Sequence, residues 1–116
     1  MVEDDRFLSE LITQKVGAEG YEVNLAMDGE KAVEMAKADQ PNLILLDLIL
    51  PTIDGFEVLK RLKEAPETKN IPVIILSNLG QKEDVDKGMQ MGAVDFMIKA
   101  NFTPGEIINK IKTVVQ

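Results

Sequence analysis

The stretch Leu43-Ile44-Leu45-Leu46-Asp47 decides the fold, because an uninterrupted apolar run ends on a carboxylate. Pro51, Asp54 and Gly55 follow shortly after it and indicate a turn and the start of a helix. A continuous apolar run predicts a strand that is buried on both faces of a sheet. A carboxylate at the end of such a strand costs solvation free energy unless it is paired or binds a cation. Asp47 is therefore predicted to lie where ligands bind in parallel α/β sheets, outside the carboxyl ends of the strands.

Outward from this stretch, short apolar runs alternate with amphipathic segments. Periodicity predicts helices over 6–18, from 28 onward, over 55–64, over 82–91 and from 103 onward, and strands over 21–26, 43–47, 71–77 and 94–98. We expect Val85 and Met89 to form the buried side of the fourth helix, and Thr103 with Glu106 to form a capping box at the start of the fifth. The alternation of strands and helices implies a parallel sheet covered on both faces.

Composition limits the classes of function. The chain has 116 residues, of which 45% are hydrophobic and 28% are charged, a balance typical of a soluble globular domain. Because cysteine and histidine are absent, disulfides, thiolate chemistry and imidazole ligands for zinc are excluded. A net charge of −7 argues against nucleic acid or an anionic membrane as the partner. No apolar run approaches the roughly 20 residues of a membrane span, and the acidic start does not resemble a signal peptide, so we expect a cytoplasmic protein.

Polar residues meet at one edge of the predicted sheet. Asp47, Ser77 and Lys99 end or follow predicted strands, and the acidic group 3–5 precedes the first helix. Converging carboxylates cannot all stay ionised without a cation, and oxygen ligands suit a hard ion such as Mg²⁺ or Ca²⁺. A hydroxyl and an ammonium group suit phosphate oxygens. This set of side chains predicts phosphoryl transfer, with Asp47 as the nucleophile that forms an acyl phosphate.

The order and spacing of these residues match a known family. The motifs are Val2-Glu3-Asp4-Asp5, Leu45-Leu46-Asp47-Leu48-Ile49-Leu50-Pro51-Thr52-Ile53-Asp54-Gly55, Ile74-Ile75-Leu76-Ser77 and Gly92-Ala93-Val94-Asp95-Phe96-Met97-Ile98-Lys99. With all four in order from end to end, the chain resembles the receiver domain of bacterial two-component response regulators. The resemblance implies a single domain over 1–116 with a doubly wound, flavodoxin-like α/β fold. Its five-stranded parallel sheet would have the order 2-1-3-4-5, with five helices.

The resemblance implies a Mg²⁺-dependent phosphoacceptor site. Asp47 would take the phosphoryl group and would bind the metal together with Asp4. Glu3 would act through metal-bound water, and the backbone carbonyl of Ile49 would complete the protein ligands. The phosphodonor would be a phosphohistidine on a histidine kinase or a histidine phosphotransfer protein. The domain would then be a switch and not an enzyme, with at most slow self-catalysed phosphorylation and dephosphorylation.

The resemblance also implies how the signal leaves the domain. Ser77 would hydrogen-bond the phosphoryl group and move toward it, while Lys99 would pair with the phosphoryl oxygens. Phe96 stands at the position of the aromatic switch residue, whose inward rotation accompanies activation. Because nothing follows the fifth helix, we expect no fused output domain. A protein partner is then expected to bind the face formed by the fourth helix, the last strand and the fifth helix.

Three features depart from the family pattern. Ala100 stands where the family usually has a proline with a cis bond, and a cis bond to a non-proline residue costs about 2.5–4 kcal/mol, so we expect a trans bond. The resemblance implies that Ile49 and Leu79 occupy the positions that in this family tune the attack of water on the phosphoryl group. Since apolar side chains cannot orient that water, we expect a long-lived phosphorylated state. Finally, Met1 and Val2 alone precede the acidic group, where the family normally has a longer apolar strand at the centre of the sheet. Either upstream residues are absent from this numbering, or the fold is repaired by rearrangement or by exchange between chains. If the start is genuine, neighbouring strands would lose backbone partners, and we expect lowered stability and dimerisation through strand exchange.

Other interpretations stay open. The acidic group 3–5 can serve as a helix cap. A receiver-like scaffold would bind partners without phosphorylation. Asp4, Asp47, Ser77 and Lys99 argue against it, whereas the short start and Ala100 leave it open. A phosphatase of the haloacid dehalogenase type also uses an aspartyl nucleophile. It requires a second aspartate two residues later, where this chain has isoleucine.

Overall fold

The computed structural model describes residues 10, 14–15, 17–18, 28–48, 53–77, 81–98 and 101–115. Its elements with described bounds are helices α1 (Gly29–Asp39), α2 (Gly55–Glu64), α3 (Lys82–Gln90) and α4 (Pro104–Val115), and strands β1 (Ile44–Leu46), β2 (Val73–Ser77) and β3 (Asp95–Ile98). They correspond to the second to fifth predicted helices and the last three predicted strands. Residues 14–15 and 17–18 are helical, as predicted for the first helix. The predicted strand over 21–26 and the start of the chain lie outside the described residues.

The three described strands form one parallel sheet in the order β1-β2-β3. Leu46 lies opposite Ile75, and Ile75 lies opposite Phe96 on the other side. Every residue of β1 and β2 is buried, which confirms that the apolar runs are strands covered on both faces. The strands β1, β2 and β3 correspond to strands 3, 4 and 5 of the predicted order 2-1-3-4-5. Strands and helices alternate along the chain, as predicted.

Two hydrophobic clusters lie on opposite faces of the sheet. The first contains side chains from α1 and α2 together with alternate strand residues: Ala32, Val33, Ala36, Ile44, Leu46, Val58, Leu59, Leu62, Val73 and Ile75. The second lies under α4 and contains Leu45, Ile74, Leu76, Met97, Ile107, Ile108 and Ile111. Alternate residues of each strand therefore pack into different hydrophobic clusters, one on each face of the sheet. None of the described helices is both long and apolar enough to span a membrane.

The predicted capping box at the start of α4 is confirmed. The Thr103 N–H donates to Glu106 Oε1 at 2.9 Å, and the Glu106 N–H donates to Thr103 Oγ1 at 3.2 Å. The two bonds satisfy two main-chain donors that have no partner within the helix. The apolar face of α4 is thereby fixed against the second cluster.

The end of α2 is shaped by a missing donor. The Leu62 carbonyl would normally accept a bond from the N–H of residue 66, but that residue is Pro66 and has no N–H. The Thr68 hydroxyl donates to the Leu62 carbonyl instead, at 2.6 Å, and Thr68 has no exposed surface. A side chain beyond the helix therefore replaces the main-chain bond that the proline removes.

Lys63 closes the same turn from the last turn of α2. Its ammonium group donates to the carbonyls of Lys69 at 3.2 Å and Ile71 at 3.0 Å. Desolvation by burial lowers the pKa of Lys63 from its usual 10.5. The group lies near the amino end of β2, away from the edge where the strands end.

α3 is attached to the sheet mainly through a glycine. Gly88 is the one buried residue of this helix, and a Cβ there would lie 2.6 Å from Ile75 Cδ1 and 3.3 Å from the Phe96 ring. Val85 is half-buried, but Met89 is 43% exposed, so the prediction that Met89 is buried is wrong. Successive helical residues differ by about 100° in direction, so with Gly88 against the sheet Met89 turns outward.

Candidate functional site

Asp47 lies at the carboxyl edge of the sheet, directly after β1. Its side chain is 4% exposed, and it takes part in interactions within the fold. The residues on either side of it, Leu46 and Leu48, are buried as well. A carboxylate in such surroundings is retained only when it is compensated by polar partners or a cation. The structure thus confirms the predicted burial of Asp47 at the strand end.

Ser77 lies at the same edge on the neighbouring strand. It is the last residue of β2, is fully buried, and also has a partner within the fold. Because Leu46 pairs with Ile75, Asp47 and Ser77 are each within two residues of the last registered pair. Adjacent strands lie about 4.8 Å apart, so the two residues are close neighbours at this edge. The structure brings these two predicted site residues together.

Phe96 lies on β3, on the same face of the sheet as Ser77. It is half-buried, packs against the first cluster, and has its ring beside Gly88 of α3. Its N–H donates to Asp95 Oδ1 at 2.8 Å, and Asp95 Oδ2 pairs with Lys110 of α4 at 2.7 Å. The Phe96 ring thus contacts α3, and its main-chain N–H is linked to α4 through Asp95. The structure places Phe96 between the sheet and α3, and its role as the aromatic switch residue stays a prediction.

The turn after Asp47 ends in a glycine that touches the Asp47 main chain. The Gly55 N–H donates to the Leu48 carbonyl at 2.9 Å, and a Cβ at Gly55 would overlap the carbonyl oxygen of Asp47 and the Cα of Leu48. Asp54 caps α2, accepting a bond from the Glu57 N–H at 3.0 Å. Asp54 and Gly55 therefore have the structural role that the sequence predicts, and they hold α2 directly against the phosphoacceptor candidate.

The remaining predicted site residues lie outside the described residues. They are Glu3, Asp4, Ile49 and Lys99, together with Ala100 and Leu79. Within the described ranges no group of three or more acidic side chains forms a metal site. Asp47, a buried carboxylate, is the kind of oxygen donor that Mg²⁺ takes. The described part of the site therefore fits one ligand of the predicted set.

Three residues make structural contacts that the sequence analysis did not predict. Gly29 and Gly88 make close approaches to neighbouring elements, and Thr68 completes α2. The glycines carry no hydrophobic signal, so periodicity does not reveal them. An Asp-Gly pair at a helix start is a sequence signal for Gly29, as it is for Gly55.

A family model for the response regulator receiver domain matches residues 1–112. The chain belongs to this family. Among its relatives, the response regulator PleD of Caulobacter vibrioides is 42% identical over 99 residues, covering 85% of this chain and 22% of PleD. The DNA-binding dual master transcriptional regulator RpaA of a Synechocystis strain is 37% identical over 116 residues, covering all of this chain and 48% of RpaA. This receiver domain thus spans less than half the length of either relative.

Solved structures show the same fold. The receiver domain of Francisella response regulator 1452 is similar with a TM-score of 0.88 and 29% identity, over 98% of this chain and 92% of that one. The BeF3-activated receiver domain of Klebsiella pneumoniae RstA has a TM-score of 0.89 and 26% identity, over 99% and 95% of the two chains. The flavodoxin-like fold is thereby confirmed. This receiver domain has the phosphoacceptor function of two-component response regulators.

Proposed function

We propose that this receiver domain accepts the phosphoryl group on Asp47. The observation that carries the proposal is the burial of Asp47 at the carboxyl edge of a parallel sheet, beside the buried hydroxyl residue Ser77. A buried carboxylate is largely removed from bulk water and is positioned by the fold around it, and both properties favour its use as a nucleophile. The donor would be a phosphohistidine on a histidine kinase or a histidine phosphotransfer protein.

The transfer forms a bond between phosphorus and an Asp47 carboxylate oxygen and breaks the bond between phosphorus and the donor imidazole nitrogen. The imidazole leaves with the electron pair of the broken bond and takes up a proton. Ser77 would donate a hydrogen bond to a phosphoryl oxygen, and Lys99 would pair with another. Such groups act by positioning the phosphoryl group and by neutralising its charge. The domain acts as a switch and not an enzyme, with at most slow self-catalysed turnover.

A bound Mg²⁺ would neutralise charge on the phosphoryl oxygens. Asp47 and Asp4 would hold it directly, Glu3 would act through water, and the Ile49 carbonyl would complete the protein ligands. All of these donors are oxygen atoms, which a hard cation prefers. The exchange would take place in the cytoplasm, between this domain and protein partners.

Labelling with acetyl phosphate in the presence of Mg²⁺ tests the proposal. Intact mass spectrometry should show that the wild type gains the mass of one phosphoryl group, and hydroxylamine should remove it because the product is an acyl phosphate. Asp47→Asn should gain no mass. Asp54→Asn is a matched control, because asparagine caps helices as well as aspartate does and leaves Asp47 in place. Chelation of the metal should abolish labelling of the wild type.

Two results would contradict the proposal. A wild type that gains no mass under these conditions would favour the phosphorylation-independent scaffold. Equal labelling of wild type and Asp47→Asn would place the phosphoryl group on another residue. Ser77→Ala supplies a graded test, since loss of one hydrogen bond to the phosphoryl group should slow labelling without abolishing it.

The output surface proposed for the phosphorylated state is formed by α3, β3 and α4. Large apolar side chains are exposed along these elements, with Met89 on α3, Val94 just before β3 and Phe102 just before α4. Phe96 and Asp95 connect β3 to both helices, so a movement of the ring can reach this surface. The downstream partner is expected to be a protein that buries part of these side chains.

A further inference from the structure

The helices α1 and α2 begin in the same way. Each is capped by an aspartate, Asp28 or Asp54. The Oδ1 atom of each aspartate accepts a hydrogen bond from the main-chain N–H three residues later, at 2.8 Å and 3.0 Å respectively. Each aspartate is followed by a buried glycine, Gly29 or Gly55. An aspartate cap does not itself require glycine at the next position. Another cause must therefore explain why both first helical residues lack a side chain.

The cause is a close approach at both positions. A Cβ at Gly29 would lie 2.5 Å from Ile53 Cγ1, 2.7 Å from Val58 Cγ2 and 2.9 Å from the Ile53 carbonyl oxygen. Ile53 directly precedes the Asp54 cap, and Val58 belongs to the first turns of α2. The main chain of Gly29 at the start of α1 is thus in van der Waals contact with Ile53 and Val58 at the start of α2.

The second glycine continues this chain of contacts to the candidate nucleophile. Gly55 packs on the main chain of Asp47 and Leu48 and hydrogen-bonds the Leu48 carbonyl. The residue before Asp47, Leu46, pairs with Ile75 of β2, and Gly55 contacts the main chain of Asp47 itself. The contacts therefore run from Gly29 through Ile53 and α2 to the Asp47 main chain, without any polar group of the site taking part.

We propose that Gly29 is a positioning residue for phosphoryl transfer. The α1 helix, by approaching Ile53 closely at Gly29, fixes the first turn of α2 and through Gly55 the main chain that carries the Asp47 carboxylate. This inference rests on the proposed function of Asp47. It adds a residue on another helix that sets the rate of transfer without touching the phosphoryl group.

The variant Gly29→Ala perturbs this contact. Ordinary contact begins at 3.4 Å, so Ile53 Cγ1 would have to move by about 0.9 Å, and the atom lies near the root of its side chain. A misplacement of about 1 Å at reacting atoms costs on the order of 100-fold in rate. Because part of the displacement is absorbed along the way, the acetyl phosphate labelling rate at saturating Mg²⁺ should fall by roughly 10-fold.

Two control variants separate positioning from stability. Gly105→Ala also replaces a glycine in the first turn of a helix, but the nearest atom to the new Cβ is Thr103 Oγ1 at 3.9 Å. Thr68→Val lowers stability at the opposite end of α2. Both should label within about twofold of the wild type under conditions where circular dichroism shows them folded, because neither alters the contacts of Asp47.

A second variant keeps the test valid if Gly29→Ala does not fold. Ile53→Ala loosens the same contact without overlap and should slow labelling by less than Gly29→Ala. In the Gly29→Ala background it removes the closest overlapping atom and should restore part of the rate, so the two effects should not add. The amide resonances of Gly55 and Leu48 in the unphosphorylated protein should shift in Gly29→Ala and stay unchanged in Gly105→Ala.

The outcomes distinguish this inference from the proposed function. Labelling of the wild type on Asp47 with equal rates for Gly29→Ala and Gly105→Ala would overturn the positioning role and leave the proposed function standing. An equal fall in Gly29→Ala and Thr68→Val would also overturn it, since stability alone would then explain the loss. With Gly29→Ala unfolded, an Ile53→Ala rate equal to that of Gly105→Ala would do the same. A wild type that does not label would reject the proposed function itself.

Discussion

Thr68→Val should lower the free energy of unfolding by about 1–3 kcal/mol. The Thr68 hydroxyl donates to the Leu62 carbonyl at 2.6 Å, and no part of Thr68 is exposed. Valine has nearly the same shape as threonine, so the loss comes from the hydrogen bond and from a buried carbonyl left without its donor. The main chain cannot replace that donor. The N–H that would bond the Leu62 carbonyl in a helix belongs to the residue four positions later, which is Pro66 and has no N–H.

Urea unfolding followed by circular dichroism measures this loss directly. For a domain of this size, each kcal/mol lowers the melting temperature by roughly 4 °C, so thermal unfolding gives an independent value. Pro66→Ala supplies the missing N–H, and the valine substitution should therefore cost at least about 1 kcal/mol less in that background. A loss below about 0.5 kcal/mol, or an equal loss in both backgrounds, would refute the assignment of the Thr68 hydroxyl to the Leu62 carbonyl.

Three further predictions concern stability and lifetime. Gln40 caps the C-terminal end of α1 in the left-handed region, with φ 48°. Gln40→Gly should therefore raise the free energy of unfolding by roughly 0.5–1 kcal/mol in urea titrations, and an unchanged or lower midpoint would contradict this. Burial lowers the pKa of Lys63 below 10.5, so the unfolded chain binds more protons between the two values. The stability of the wild type relative to Lys63→Met should therefore rise with pH across that window and stay constant below the lowered pKa; the absence of any rise would exclude this linkage. With Ile49 and Leu79 unable to orient water, phosphorylated protein should persist in mass-spectrometric time courses, and a half-life of seconds would reject this expectation.

Local signals were sufficient for most of the described fold. The bounds of α2 follow from the Asp54 cap and the apolar spacing that begins after it, and the structure gives the helix the predicted span of Gly55–Glu64. The buried strand before Asp47 is equally local, because the apolar run is too short for a helix and is followed by turn residues. Asp47 and Ser77 could be placed together because carboxyl ends of parallel strands meet at one edge.

Contacts between distant segments were not predictable in the same way. Met89 was expected to be buried because it is apolar, but the side of α3 that meets the sheet is chosen by Gly88, whose missing side chain lets the helix approach Ile75. Thr68 is polar and lies in a turn, so its burial depends on the carbonyl that Pro66 leaves without a donor. Such features depend on tertiary packing, which hydrophobic periodicity does not encode.

The shallow seating of α3 has an energetic consequence for switching. Displacing a helix costs roughly 25 cal/mol for each Å² of apolar surface returned to water, and the one residue that α3 fully buries has no side chain to expose. Its further tie, the Lys87 ammonium 4.3 Å from the centre of the Phe56 ring, adds about 0.5–1 kcal/mol at an exposed site. Two seatings of α3 can therefore be close in free energy. A small preference of the phosphorylated site for one of them is then enough to shift the population toward that seating, and among the described helices α3 is the one that moves at least cost.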